Sequence, residues 1–386
     1  MTNNSNKQTT AKAVITTAKS VQNSFVNIGI IGMGNCGSAL VQGLQYYKYK
    51  NIEDNNERIP GLMNPVIGKY KISDIRVTSA FDVDSKKVGK DISDAIFSPP
   101  NNTKTFSEVP NQDIIVNKGP VLDGVSDIMR NVFDIDDNQK ELSKDEIIDI
   151  IKNTQTEILI NFVPVGSQMV TEFWADVALE SKCSFINCVP QFISSNQEWA
   201  NKFKTANLPI LGDDIKSQIG ATELHRTIIQ MITDRGGVVD NTWQLNYGGN
   251  ADFLNMRDLQ RLKSKKISKT EAIQSVLGDM RLDEENIHIG PSDFIPHLKD
   301  NKICDIRIDF RIFGDIPCKL DCKLSVEDSP NSIGCVIDCI RLARIGLDRK
   351  MGGPILPACA YYMKHPGEQM RESDAKKQLE KFIKSD

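Results

Sequence analysis

Histidine is scarce, with four in 386 residues. A mechanism built on imidazole is therefore a poor first choice. The nine cysteines include no Cys-x-x-Cys pair and no zinc-type spacing. Reduced, mostly structural thiols in a reducing compartment are expected. No run of eighteen apolar residues occurs, so no membrane span is expected. Positive charge is not in excess: 47 Lys and Arg stand against 51 Asp and Glu, a net −4. That balance argues against a nucleic-acid binder held by phosphate contacts. Residues 1–24 lack an apolar core, and arginine is absent before Arg58. Neither a secretory signal nor a mitochondrial transit peptide is expected, and the Asn/Thr/Lys/Ser-rich leader reads as a disordered extension. A cytoplasmic location follows as the expectation. Internal repeats are missing too.

What is present suffices for two or more domains, at roughly 100–200 residues each. The densest chemistry lies at Gly249-Asn250-Ala251-Asp252-Phe253-Leu254-Asn255 and Ser264-Lys265-Lys266-Ile267-Ser268-Lys269. Ser268-x-x-Glu271 has the form of a capping box, which predicts a helix beginning at Lys269 with Ala272, Ile273, Val276 and Leu277 on one face. Lysines beside free helical N–H groups make an anion site, suited to a phosphate or a developing oxyanion. Read alone, the stretch also fits a solvated basic loop before an ordinary helix.

Val26–Ile31 is a short apolar strand that runs into Gly32-Met33-Gly34-Asn35-Cys36-Gly37. This is a GxGxxG spacing after a strand and at the start of a helix. The first glycine makes the turn, the second lets a pyrophosphate approach, and the third lets helix and strand pack. A second strand, Ile75–Phe81, ends at Asp82. A carboxylate there accepts the ribose hydroxyls of NAD and repels a 2′-phosphate. The gap from the glycines is longer than usual, because residues 46–74 intervene. Asp82 is chosen over Asp84 because it is nearer the strand end. A helix near 144–153 leads to a strand at 158–163 and the turn Pro164-Val165-Gly166-Ser167. Further helix–strand steps follow, through 183–189 and then 209–211. This alternation predicts an α/β fold with a doubly wound parallel sheet of Rossmann type.

Gly212-Asp213-Asp214-Ile215-Lys216-Ser217-Gln218 reads as a polar cluster with Ser217 capping a helix that ends at Arg235-Gly236. It fits either solvated acids before a helix or a contact to cofactor or phosphate. His225, inside that helix, reads as structural. From Thr242 the pattern changes. Period-two alternation at 304–313 and 318–324 predicts antiparallel strands with one buried face, in a second α+β domain. Such a one-sided sheet commonly serves as an oligomer interface. Ser329-Pro330 predicts the start of a helix that carries Cys335 and Cys339.

Several segments together resemble the myo-inositol-1-phosphate synthase family in its shorter prokaryotic form. They are GMGNCGSALVQGLQYYK (32–48), AFDVDSKKVGKDISDAIF (80–97), PVGS (164–167), GDDIKSQIGAT (212–222), LNYGGNADFLN (245–255), SKKISKT (264–270), EDSPNS (327–332) and GGPILPACAYYMK (352–364). The resemblance covers nearly the whole chain after residue 24. It implies an isomerase, an intramolecular lyase, of inositol and phospholipid biosynthesis. That activity converts D-glucose 6-phosphate to 1D-myo-inositol 3-phosphate with NAD and no net redox change: oxidation at C5, enolisation at C6, aldol closure onto C1, and reduction. It implies Lys265, Lys269, Lys302, Lys364, Asp252 and Asp214 as catalytic residues. Gly32, Gly34, Asn35, Cys36, Gly37, Asp82, Gly166, Ser167 and Asp213 are implied for the cofactor. Lys216, Ser217, Gln218, Asn250, Asn255 and Ser329 are implied for the substrate. A homotetramer is implied as well, with residues 25–217 plus 326–386 as the dinucleotide domain and 218–325 as the catalytic and tetramer-forming domain. The metal site is open: any cation would be loosely bound, divalent or monovalent, and held by carboxylates, phosphate and water. Two rivals remain, a net NAD-dependent dehydrogenase of a sugar or polyol phosphate and a non-catalytic NAD-binding protein.

Overall fold

In the computed structural model, residues 25–50, 52, 58–258, 261, 263–277 and 281–385 are described. The N-terminal extension proposed for residues 1–24 lies outside them. Eleven helices and thirteen strands occur among the described residues. The strands are β1 (Val26–Ile31), β2 (Val66–Ile67), β3 (Tyr70–Lys71), β4 (Ile75–Asp82), β5 (Val116–Lys118), β6 (Ile158–Asn161), β7 (Ser184–Asn187), β8 (Pro209–Leu211), β9 (Val238–Gly248), β10 (Ile287–Phe294), β11 (Asn301–Ile312), β12 (Ile316–Glu327) and β13 (Gly353–Pro354). The helices are α1 (Asn35–Tyr47), α2 (Ile92–Ala95), α3 (Lys144–Asn153), α4 (Gln168–Ser181), α5 (Gln197–Thr205), α6 (Ala221–Asp234), α7 (Ala251–Asn255), α8 (Lys263–Leu277), α9 (Asp328–Asp348), α10 (Leu356–Tyr362) and α11 (Glu372–Lys384).

Seven strands form a sheet in the order β13-β8-β7-β6-β1-β4-β5, and every adjacent pair in it is parallel. The chain winds outward from β1 through β4 to β5, then returns to β6 on the other side. That reversal is the switch point of a doubly wound sheet, where ligands bind at the carboxyl ends of the strands. Both faces are buried, as a parallel sheet requires. Ile28, Ile30, Ile158 and Ile160 pack with α1, α9 and α10 on one face. Ile31, Leu159 and Phe185 pack with α3, α4 and α5 on the other. The period of two along each strand sorts these neighbours to opposite sides.

A four-stranded sheet has the order β10-β9-β11-β12. The predicted antiparallel pairing holds for β9, β11 and β12. Strand β10 departs from it and runs parallel to β9, because α8 carries the chain back across the face before β10 begins. Cys304, Ile306 and Ile308 of β11 are buried with apolar residues of α6 and α8.

Three predicted helix starts shift. Helix α8 begins at Lys263, so Ser268 lies within it and is not a cap. Nothing in the Lys/Ser run breaks a helix, and burial of Ala272, Ile273, Val276 and Leu277 anchors the whole element. Helix α6 is capped by Gly220 rather than Ser217. The preceding segment spends its backbone elsewhere: Lys216 N–H donates to Tyr362 O, and Gln218 N–H to Asn331 O. Helix α9 begins at Asp328, which puts Ser329 and Pro330 in its first turn.

Candidate active site

A deep pocket opens at the switch point. It is lined by the turn after β1, the end of β4, the turn after β6, the first residues of α7, and Lys302, Asp328, Ser329 and Lys364. The glycines divide their work as expected. Gly32 has φ +90°, and a Cβ there would lie 2.8 Å from the Phe162 carbonyl oxygen. Gly34 faces open space, with nothing within 4 Å of where its Cβ would be. Gly37 is 2.9 Å, at its would-be Cβ, from the Gly32 carbonyl oxygen, so it serves helix–turn packing and does not line the pocket. Asp82 closes β4. Its Oδ2 accepts from Met33 N–H at 2.6 Å, and its Oδ1 accepts from Val83 and Asp84 N–H at 2.7 and 2.9 Å.

The facing wall carries two ammonium–carboxylate pairs. Lys364 Nζ lies 3.0 Å from Asp214 Oδ1 and donates to Ile215 O at 2.8 Å. Lys302 Nζ donates to Asp328 Oδ1 at 3.1 Å. Burial pulls the Lys302 ammonium down, but Asp328, with Cys304 and Asp252, holds it above its ordinary value. Asp252 lines the same pocket. Preorganised ammonium groups stabilise a developing oxyanion, and carboxylates beside them move protons.

Sequence reasoning missed Asp300, which joins three walls. Its Oδ1 accepts from Asn35 Nδ2 at 3.0 Å, Asn250 Nδ2 at 3.0 Å and Ser329 Oγ at 2.9 Å. Burial and then Asp328 push its carboxyl up to about 6. Asn250 also caps α7, accepting from Asp252 and Phe253 N–H. So Asn250 and Ser329 each spend a donor on positioning. Cys36 lines the pocket, but burial, Asp300 and Asp328 push its thiol up to about 12, which leaves it a poor nucleophile at neutral pH. The apolar wall of Val121, Val125, Met129 and Phe133 was also missed. It falls in a loop-rich region without hydrophobic period.

The pocket thus gathers Gly32, Gly34, Asn35, Cys36, Asp82, Asp214, Ser217, Asn250, Asp252, Lys302, Ser329 and Lys364. Other expected residues do not line it. Asp213 is fully buried and accepts from Asn187 Nδ2, from the backbone N–H groups of Ile193, Ser194 and Ser195, and from Ser195 Oγ. It pins the loop after β7. Lys216 turns away, to Ala360 O and Glu372. Gln218 packs on Gly334 and donates to Gly61 O. Gly166, Ser167 and Asn255 are engaged behind the pocket with the 251–261 segment. Lys265 and Lys269 lie four apart on the backbone of α8, hence on one helix face. Their side chains are outside the described residues. His225 is structural as expected: fully buried, its Nε2 sits 2.6 Å from Thr242 Oγ1.

The model of the myo-inositol-1-phosphate synthase family matches residues 220–329. The inositol-3-phosphate synthase of Mycolicibacterium smegmatis is 44% identical over 361 residues, covering 93% of this chain and 98% of that protein. The inositol-3-phosphate synthase of Corynebacterium glutamicum is 43% identical, covering 93% and 98%. Among solved structures, Ari2 superposes with a TM-score of 0.75 at 28% identity, covering 94% of this chain and all of that one. A myo-inositol-1-phosphate synthase-related protein from Thermotoga maritima also gives 0.75, at 24% identity, covering 93% and 98%; at that identity it shows the fold alone.

Proposed function

The chain belongs to the myo-inositol-1-phosphate synthase family, and from that premise we propose how its own residues carry the reaction. The activity is that of an inositol-3-phosphate synthase, an NAD-dependent isomerase that cyclises glucose 6-phosphate to 1D-myo-inositol 3-phosphate. One observation carries the reading: two ammonium–carboxylate pairs, Lys364–Asp214 and Lys302–Asp328, face a dinucleotide turn across one pocket.

The residues fit NAD. Gly34 leaves open space where a pyrophosphate must approach, the N-terminus of α1 offers N–H groups to it, and Asp82 stands at the strand end for the ribose hydroxyls. When bound, NAD supplies reversible oxidation of the sugar at C5, which acidifies the C6 protons. The rest falls to the protein. In this reading Asp252 and Asp214, which line the pocket, take part in proton transfer. Lys302 and Lys364 stabilise negative charge on carbonyl oxygens through enolisation and aldol closure. Lys265 and Lys269 extend that cationic set from α8. Ser217 and Ser329, which line the pocket, are the substrate contacts in this reading. Among the described residues no group of three His, Cys, Asp or Glu side chains is placed to hold a metal ion.

Residues 25–217 with 326–386 form the dinucleotide domain in this reading, and 218–325 the catalytic and tetramer-forming domain of a cytoplasmic homotetramer. The uncovered face of the four-stranded sheet supports assembly, as do Ile312, Phe313 and Ile316, exposed at 45%, 98% and 58%. No helix among the described residues is long and apolar enough to cross a membrane.

The test is incubation with glucose 6-phosphate and NAD, following inositol phosphate by periodate-released phosphate and NADH by absorbance. Inositol phosphate without accumulating NADH is expected. Stoichiometric NADH would make the protein a net dehydrogenase, and neither signal would leave a binding protein.

A further inference from the structure

We propose that Arg261, with Asn255, is a positioning clamp that fixes the lysine-bearing helix α8 to the cofactor side of the pocket. This rests on the reading that α8 carries part of the cationic set. Arg261 lies two residues before α8, and its side chain is 11% exposed. Its Nη1 donates to Val165 O and Ser167 Oγ, both at 3.2 Å, and its Nη2 donates to Asp123 O at 2.5 Å. Asn255 adds a second grip: its Nδ2 donates to Val165 O at 2.8 Å, and its Oδ1 accepts from Ser126 Oγ at 3.1 Å. The far side is rigid. The Asp123 carboxylate accepts from Met169 and Val170 N–H at 2.8 and 2.9 Å, which caps α4. Val165, Val121 and Val125 of the clamped loops line the pocket.

Gly166 shows how close the contact is. It has φ +85°, and a Cβ there would sit 2.6 Å from Arg261 Cβ and 2.9 Å from Arg261 Cα. The Pro164–Ser167 turn is thus a seat for arginine as much as a wall of the pocket. Three acceptors in different directions suit the planar guanidinium fork and not a point-like ammonium. Midway along α8, Glu271 Oε2 lies 3.0 Å from His365 Nδ1, next to Lys364. The helix thus meets the walls that hold the reaction's other groups just before its start and again at its middle.

The experiment compares wild type with Arg261→Ala, Arg261→Lys, Ser167→Ala and the double variant Arg261→Ala/Ser167→Ala. NAD affinity is read by titration, α8 by amide hydrogen exchange, and kcat and KM by the inositol phosphate assay. Arg261→Ala is expected to weaken NAD by about tenfold, from the loss of charge-assisted hydrogen bonds. It should speed exchange across residues 263–277 and lower kcat more than it changes the sugar KM. Arg261→Lys should recover little. The double variant should lose less than the product of the singles. Wild-type NAD affinity and exchange in Arg261→Ala would overturn the clamp, as would full recovery in Arg261→Lys. Titration and exchange read the clamp even if wild type makes no inositol phosphate, a result that would sink the functional reading alone. If Arg261→Ala does not fold, Ser167→Ala must show the same pattern at smaller size, and a silent Ser167→Ala refutes the inference.

Discussion

Replacing Lys364 by alanine separates what its ammonium does for stability from what it does for catalysis. Its side chain is 14% exposed and that of Asp214 is 5% exposed, with 3.0 Å between Nζ and Oδ1. Removing the ammonium takes a hydrogen-bonded counter-charge from a largely buried carboxylate, at a cost of roughly 3–5 kcal/mol. At roughly 2–4 °C per kcal/mol, the thermal midpoint should fall by roughly 6–20 °C. Adding Asp214→Asn removes the carboxylate charge as well and should return most of that loss. Catalysis should not return. Loss of one preorganised group at a developing charge costs roughly 10²–10³ in kcat, and the double variant lacks the ammonium just as the single does. The assay pairs thermal midpoints with inositol phosphate formation per folded enzyme. A Lys364→Ala protein as stable as wild type would refute the buried-pair argument. A double variant with restored turnover would refute the catalytic one.

Glycine substitutions in the dinucleotide turn should part in kind. Gly34→Ala should fold normally and lose NAD affinity by at least about tenfold, because its Cβ enters the open space left for the pyrophosphate, whereas Gly32→Ala should lower the melting temperature itself, with φ +90° and a carbonyl oxygen 2.8 Å away. Asp82→Ala should weaken NAD and narrow its preference over NADP, measured by titration of both. His225 is fully buried, and its imidazole is held down at about 4 by burial. A base with a lowered folded value contributes stability above its ordinary value of 6.5, and that stability is lost as pH falls toward 4. Between pH 7 and pH 5 the loss is about 2 kcal/mol. His225→Gln should abolish that part of the pH dependence in denaturation curves. An unchanged pH profile would show that the imidazole titrates freely in the fold.

Much of the fold was legible because its signals are local. An apolar strand that runs into GxGxxG needs only the chain's own glycines to make its turn, and Asp82 falls at the end of the next apolar run. Period two at 304–313 and 318–324 marks strands with two unlike faces, whatever they pair with. Helix starts were less legible. Ser217 and Ser268 have good cap chemistry, but capping is worth only about 1 kcal/mol. The strand-like contacts of residues 215–218 with Tyr362 and Asn331 outweigh it in one case, and the buried face of α8 does so in the other.

The identity of the dinucleotide turn, the alternation that builds a parallel sheet and the residue types of the site were determined by the sequence alone, because each depends on neighbours within a turn or a strand. Which polar residues reach the pocket was decided only in three dimensions. Asp213 and Asp214 are adjacent in the chain, yet one is consumed by five donors, one from the end of β7 and four from the loop after it, and its neighbour meets Lys364 on the pocket wall. Asp300 carries no motif of its own and becomes the hub of Asn35, Asn250 and Ser329. A buried polar group must be satisfied by whatever partners the fold brings to it, and those partners come from segments up to 265 positions away in the chain.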